Sequence, residues 1–462
     1  MHLKKIFIIF LITFIFTSSV LADEAVGVRI GVIDTGVSFK AVNSDSVSDG
    51  KNYIFPQEST EDKIGHGTAV SAIIAGSEPA RIEGICPTAV IVPLVCITKD
   101  NEGKIINGDT SVTAKAIYDA VDKFDCKIIN ISSGAAKGSD ELKKAVEYAE
   151  SKGVLIVASA GNNQEDAKGA ISYPGGYDSV ICVGAAEENG SVTDFSRKNN
   201  TVDIIAQGTD LRLASIKGTR IRGEGTSYAA ATLSGVLAQL MVENPELGAY
   251  EIRDVLFESA ININGQKFIY PDVTLGKVSE FFIDVHGAGH WAEKSIDYSV
   301  GLEIMKGTGE NIFSPDLPVT RAMLVTVLYR NAGEPATNSN IPFADIDMDM
   351  YYANAVVWAQ QNGIVNGVTE TEFAPDANVT REQIATIMFR YAQYKGMNAI
   401  TMEENLHFDD SDEIFDYAVT AMNWAVGTGL MKGKTPATIN PKDNATRAEI
   451  AAILQRFMES YK

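Results

Sequence analysis

The sequence predicts an α/β fold, a parallel sheet sandwiched by helices, followed by a mostly α-helical module of three repeats. Two patterns predict it. Residues 23–263 alternate short, continuously apolar runs with helical patterns. Beyond residue 280 a unit with a period of about 60 residues recurs three times.

At the N-terminus, Lys4 and Lys5 precede an apolar run from Ile6 to Phe16, and Val20-Leu21-Ala22 forms a small-residue cleavage site. Residues 1–22 therefore read as a signal peptide, its apolar run too short to span a bilayer comfortably. In the next unit, Val28–Ile33, Val90–Val95, Lys127–Ile131, Val154–Ser159, Val180–Gly184 and Val202–Ala206 read as buried strands. Thr68–Ala75, Ser111–Phe124, Ser139–Ser151 and Ser227–Val242 read as helices. Apolar strands separated by helices imply a parallel sheet covered on both faces, with sites at the C-terminal strand ends. Residues 264–280 are the expected linker.

The repeats are bounded at 281–335, 342–397 and 405–462. Phe282-Ile283-Asp284-Val285 returns as Phe343-Ala344-Asp345-Ile346 and as Phe408-Asp409-Asp410-Ser411. Thr320-Arg321, Thr380-Arg381 and Thr446-Arg447 close the units, and the Asp-to-Arg spacing is nearly constant. Thr446 with Glu449 and Thr380 with Gln383 have the spacing of capping boxes; Thr320 has only half the device, because Met323 stands at the partner position. The arginine that follows each threonine is expected to project outward, where its planar fork can grip a carboxylate.

The formal net charge is -21, which argues against nucleic acid and anionic lipid as partners. No segment after the signal peptide is apolar for long enough to cross a membrane, so no membrane role is expected after cleavage. Cys86, Cys96, Cys126 and Cys182 form no C-x-x-C pair, so zinc is not expected. Export permits disulfides among them, and burial as small hydrophobes is equally open.

Between residues 23 and 275 the sequence has a single histidine, His66. Asp34 ends a strand; His66 opens a helix in Gly65-His66-Gly67-Thr68; Ser227 opens another in Gly225-Thr226-Ser227. Serine is a weak nucleophile, and a histidine base steadied by a carboxylate can activate it. Asn162, just after a strand, could donate to an oxyanion. Each residue has an ordinary reading, as turn former, structural histidine or helix cap. Their order in glycine-rich contexts makes the chemical reading the better one.

The segments Val32-Ile33-Asp34-Thr35-Gly36, His66-Gly67-Thr68-Ala69-Val70, Ala160-Gly161-Asn162 and Gly225-Thr226-Ser227-Tyr228-Ala229 resemble the signatures of the subtilase family. That resemblance implies a subtilisin-like fold with a seven-stranded parallel sheet and peptide hydrolysis through an acyl-enzyme. Asp34, His66 and Ser227 match the family's triad, and Asn162 its oxyanion donor. Ser132, Ser133 and Gly134 resemble the edge that pairs with an extended substrate. Ser172 resembles the floor of the specificity pocket, here expected to be roomy, uncharged and suited to apolar or aromatic side chains. The family's usual proline four residues after the serine is Ala231 here. Asp34 follows the predicted cleavage so closely that no pro-segment fits. No cofactor is expected for catalysis; calcium is common in the family, but no loop here secures a site.

The repeats resemble S-layer-homology domains. This implies binding to a secondary cell-wall polysaccharide, often pyruvylated, through Arg321, Arg381 and Arg447, with Trp291 stacking on sugar. The third repeat loses the aromatic of its loop, so its groove could be structural only. The expected function is thus a secreted serine endopeptidase held on the cell wall or S-layer of a bacterium, acting on a peptide or protein substrate. A different class of reading is a wall-bound adhesin or scaffold whose protease domain is silent. A polysaccharide hydrolase would need paired carboxylates in a cleft; the acidic runs 345–349 and 409–413 read instead as solvated faces.

Overall fold

The computed structural model describes residues 27–162, 169–337, 341–397 and 407–460. The expected signal peptide lies outside them. Along the chain the strands are β1 (Arg29–Asp34), β2 (Lys51–Asn52), β3 (Val90–Val95), β4 (Ile97–Lys99), β5 (Ile105–Asn107), β6 (Ile128–Ile131), β7 (Leu155–Ser159), β8 (Val180–Ala186), β9 (Ile204–Gln207), β10 (Leu211–Ala214), β11 (Arg220–Gly223), β12 (Ile261–Ile263) and β13 (Gln266–Ile269). The helices of this unit are α1 (His66–Ala75), α2 (Thr110–Asp122), α3 (Asp140–Ser151), α4 (Thr226–Glu243), α5 (Ala249–Glu258) and α6 (Pro271–Thr274).

One sheet runs in the order β12-β13-β9-β8-β7-β6-β1-β3-β2, parallel except for the β12–β13 hairpin. It has nine strands among the described residues, two more than the subtilase resemblance implies in number, because the hairpin extends one edge. Alternation along the strands explains why the central strands read as apolar. Ile30 and Val32 pack with α1 and α4, whereas Ile33 packs with α2 and α3. Gly31 leaves room for α2: a Cβ there would lie 3.3 Å from Cys126 Sγ and 3.4 Å from Ala120 Cβ. All four cysteines are free and buried, which settles the open choice in favour of small core hydrophobes.

Residues 264–280, expected as a linker, instead carry β13, which pairs with β9 in the main sheet. The physical reason is an apolar pair, Phe268 and Ile269, both fully buried. Phe281 continues this packing, and its ring stacks on His286 at the start of the first repeat.

Each repeat supplies two helices: α7 (Glu293–Gly301) and α8 (Arg321–Asn331), α9 (Ala353–Gln361) and α10 (Arg381–Tyr394), α11 (Val419–Gly427) and α12 (Arg447–Ser460). They share one core and close into a ring. Val379 N donates to Val319 O (2.9 Å), Ala445 N to Val379 O (3.1 Å), and Val319 N to Ala445 O (2.9 Å). The aspartate of each unit holds its loop: Asp284, Asp345 and Asp410 accept from the backbone N–H groups of Phe313 and Ser314, Phe373 and Ala374, and Ile439 and Asn440. These contacts fix a left-handed residue in every loop, at Ser314, Ala374 and Asn440. Thr446 and Glu449 bond reciprocally across their cap, Gln383 accepts from Thr380 N, and Thr320 accepts from Met323 N. No helix among the described residues is long and apolar enough to cross a membrane.

Candidate active site

The C-terminal ends of β1, β6 and β7 meet the N-termini of α1 and α4, and the candidate residues gather there. Asp34 is the last residue of β1 and 1% exposed. Its carboxylate oxygens lie 2.8 and 2.9 Å from His66 Nδ1, and Oδ1 also accepts from Thr35 N at 2.7 Å. A carboxylate can only accept, so in the neutral ring Nδ1 carries the proton and Nε2 is left unprotonated. Asp34, and more weakly Asp62, raise the pKa of His66 above its ordinary value, against the opposing effect of burial. Gly67, one residue into α1, allows this approach: a Cβ there would come 2.3 Å from Gly36 O and 3.2 Å from Asp34 Cβ.

Ser227 stands in the first turn of α4. The His66 ring lies 5.7 Å, centroid to centroid, from that of Tyr228, the next residue. Ser227 Oγ donates to Ser132 O at 3.0 Å. The structure therefore brings Asp34 and His66 into direct contact, with the serine hydroxyl turned toward β6 rather than bonded to the imidazole. Catalytic hydrogen bonds are often loose without substrate.

Asn162 accepts from Thr226 N (3.0 Å) and Thr226 Oγ1 (2.8 Å) through Oδ1. That fixes the amide so that Nδ2 is the end left to donate. Ser132, Gly134, Ser172 and Asn162 line one cavity of about 320 Å³ with Ser227. Ser133 faces an adjoining hollow with Tyr173. Gly134 is needed where it stands, because a Cβ would meet Ser172 Oγ at 2.0 Å. A larger and more apolar hollow of about 640 Å³ opens at the other end of the strands, near Val28, Lys127 and Leu247, away from these groups.

The cavity is not uncharged, as Ser172 alone suggested: Arg197 lines it too. Sequence reasoning also missed the support beneath the site. Asn130, wholly buried in β6, donates to Ser132 Oγ (2.9 Å) and accepts from Ser234 Oγ (3.0 Å); Ser132 Oγ in turn donates to Ser227 O (3.1 Å). The visible signal was a lone polar residue inside the apolar run Ile128-Ile129-Asn130-Ile131.

In the repeats the three arginines do not project outward. Arg321, Arg381 and Arg447 are 8%, 4% and 8% exposed. Each lies under the loop of the next repeat and donates through Nε and Nη2 to backbone carbonyls: Arg321 to Phe373 and Asn366, Arg381 to Ile439 and Lys432, Arg447 to Phe313 and Lys306. The first turn points each side chain across the ring closure, not into solvent. Arg381 Nη1 also meets Glu449 at 3.1 Å. Trp291 is 64% exposed beside His290, and Tyr351 and Tyr417 are exposed near the corresponding helix starts. Among the described residues, one group has the makings of a metal site: His286, Glu293 and Asp297 place ligand atoms within 4.8 Å of one another. Phe282 N donates to His286 Nδ1, and Nε2 donates to Asp297 Oδ1 (2.8 Å), so the ring already has protein partners on both sides.

Residues 25–287 match the subtilase family, and residues 284–322, 342–385 and 407–451 each match the S-layer homology domain. Subtilisin DY of Bacillus licheniformis is 31% identical over 54% of this chain and 88% of its own length. The M-protease of Shouchella clausii (strain KSM-K16) is 30% identical over 51% of this chain and 60% of its own length. Among solved structures, Sphericase is 30% identical, covers 52% of this chain and 86% of its own, and superposes with a TM-score of 0.46.

Proposed function

The chain belongs to the subtilase family and is a subtilisin-like serine endopeptidase with a cell-wall anchoring module; from that premise we propose that Asp34, His66 and Ser227 are its triad and Asn162 its oxyanion donor. The observation that carries the proposal is the Asp34–His66 contact at 2.8 Å, which leaves Nε2 deprotonated beside the first turn of α4. His66 takes the Ser227 proton as Oγ attacks the scissile carbonyl. Asp34 stabilises the resulting imidazolium. Asn162 Nδ2, with the backbone N–H of Ser227 in the first turn of α4, receives the developing oxyanion. His66 then protonates the leaving amine, and water repeats the sequence to release the acyl group.

The repeats place this chemistry at a bacterial surface by holding a secondary cell-wall polysaccharide. Trp291, Tyr351 and Tyr417 offer sugar-stacking rings. The Nη1 groups of Arg321 and Arg447 have no protein partner among the described residues and can reach a pyruvyl carboxylate. Arg381 is already engaged by Glu449. The full chain should hydrolyse a denatured protein and sediment with purified walls. Ser227→Ala should abolish the first and leave the second intact. Hydrolysis unchanged in Ser227→Ala would remove the triad. A chain that sediments but never hydrolyses would favour the scaffold reading, to which the Ser227–Ser132 bond lends its support.

A further inference from the structure

We propose that Arg197 makes the cavity beside Ser227 selective for an acidic side chain on the P1 residue, the one whose carbonyl is attacked; this rests on the endopeptidase reading above. Arg197 lines the same cavity as Ser172, Asn162 and Ser227. Its backbone is pinned there, because Arg197 N donates to Gly161 O at 3.0 Å and Asn162 bridges to Ser196. The guanidinium lies flat over Gly161: a Cβ on that residue would sit 3.1 Å from Cζ, Nε and Nη1 alike. Gly161, at φ +93°, is thus the residue that leaves space for the group.

Arg197 Nε is buried and has no hydrogen-bond partner among the described residues. No described carboxylate lies within ion-pair distance of the side chain. A buried donor left without a partner is costly, and an arginine is charged at any working pH. The rest of the described lining is neutral, made of serine, glycine, alanine, Asn162 and Thr226, so no described lining residue answers the charge. A carboxylate brought into the cavity by substrate would meet the guanidinium as a charge-assisted partner. An aromatic or aliphatic P1 side chain would leave the donors unmet, and a lysine would be repelled. The earlier expectation of an apolar preference was read from Ser172 alone and is replaced by this one.

The test uses the full chain and one fluorogenic peptide sequence carrying Glu, Asp, Gln, Phe or Lys at P1, with rates expressed per active site as titrated by a fluorophosphonate. Glu and Gln have nearly the same shape, so their ratio reports the charge. We expect kcat/KM to favour Glu over Gln by about tenfold or more, as for a charge-assisted hydrogen bond. The ratio should collapse toward one in Arg197→Met and survive in part in Arg197→Lys. Glu no better than Gln in the unmodified chain, or a Phe preference shared by that chain and Arg197→Met, would overturn the proposal while the titration still counts a live serine. Failure of the titration itself would overturn the endopeptidase reading and this inference with it.

Discussion

Replacing Arg447 with alanine should open the ring of repeats. Its Nε donates to Phe313 O at 2.9 Å and its Nη2 to Lys306 O at 2.6 Å, so one side chain ties the third repeat to the first. Its guanidinium also sits 4.4 Å from the Phe313 ring centre. Each hydrogen bond from a charged donor is worth about 1.5–3 kcal/mol, and the ring contact adds about 1 kcal/mol. Burial of the charge works against this and pushes the Arg447 pKa down. A loss of about 4 kcal/mol is therefore expected. For a unit of this size that lowers the midpoint of its thermal transition by about 8–16 °C. Calorimetry on the full chain should show the shift in the transition assigned to the repeats and little change in the protease transition. Arg321→Ala should behave alike, since Arg321 makes the same pair of bonds to Phe373 and Asn366. An Arg447→Ala chain that melts within about 2 °C of the parent yet releases from walls would refute the reasoning. It would show an arginine that serves the ligand and not the ring.

Three other outcomes follow from the site. His66 has its pKa raised mainly by Asp34, and only the neutral imidazole is a base. In a kcat/KM–pH profile the acidic limb should therefore fall above the ordinary histidine value; in Asp34→Asn, with burial then dominant, it should move to lower pH as the rate drops by orders of magnitude. The same shift means that the stability His66 contributes is complete below its ordinary pKa and is lost as pH rises through the raised one. Asn162→Ala should lower kcat by about 10²–10³ with little change in KM, the range measured for the equivalent donor in a subtilisin. Asn130→Leu should destabilise the protease unit by about 1–3 kcal/mol, because Ser132 and Ser234 lose a buried partner; a melting curve unchanged from the parent would count against the network.

The sheet was legible because both its faces are covered, which turns its central strands into nearly continuous apolar runs. The motif glycines were equally legible, and Gly67 and Gly134 show why, since a Cβ at either would strike a neighbour at 2.3 Å or less. The short strands β2, β12 and β13 were missed: two to four residues give no period, and Phe268 and Ile269 are too brief a run to separate from a linker. Arg197 was missed for another reason. Its importance comes from lying over Gly161, far away in sequence, and nothing in Phe195-Ser196-Arg197-Lys198 announces that contact. The repeat arginines mark the same boundary. Their spacing was visible, yet the carbonyls that receive them belong to a different repeat, so the direction of the side chains was set by ring closure and not by the local cap.

The most direct test of the account is the rate at which a fluorophosphonate labels the full chain as pH is varied. The account predicts labelling confined to Ser227, absent in Ser227→Ala, with a rate that rises as His66 loses its proton. Labelling that persists in Ser227→Ala, or none at any pH in a folded chain, would contradict it.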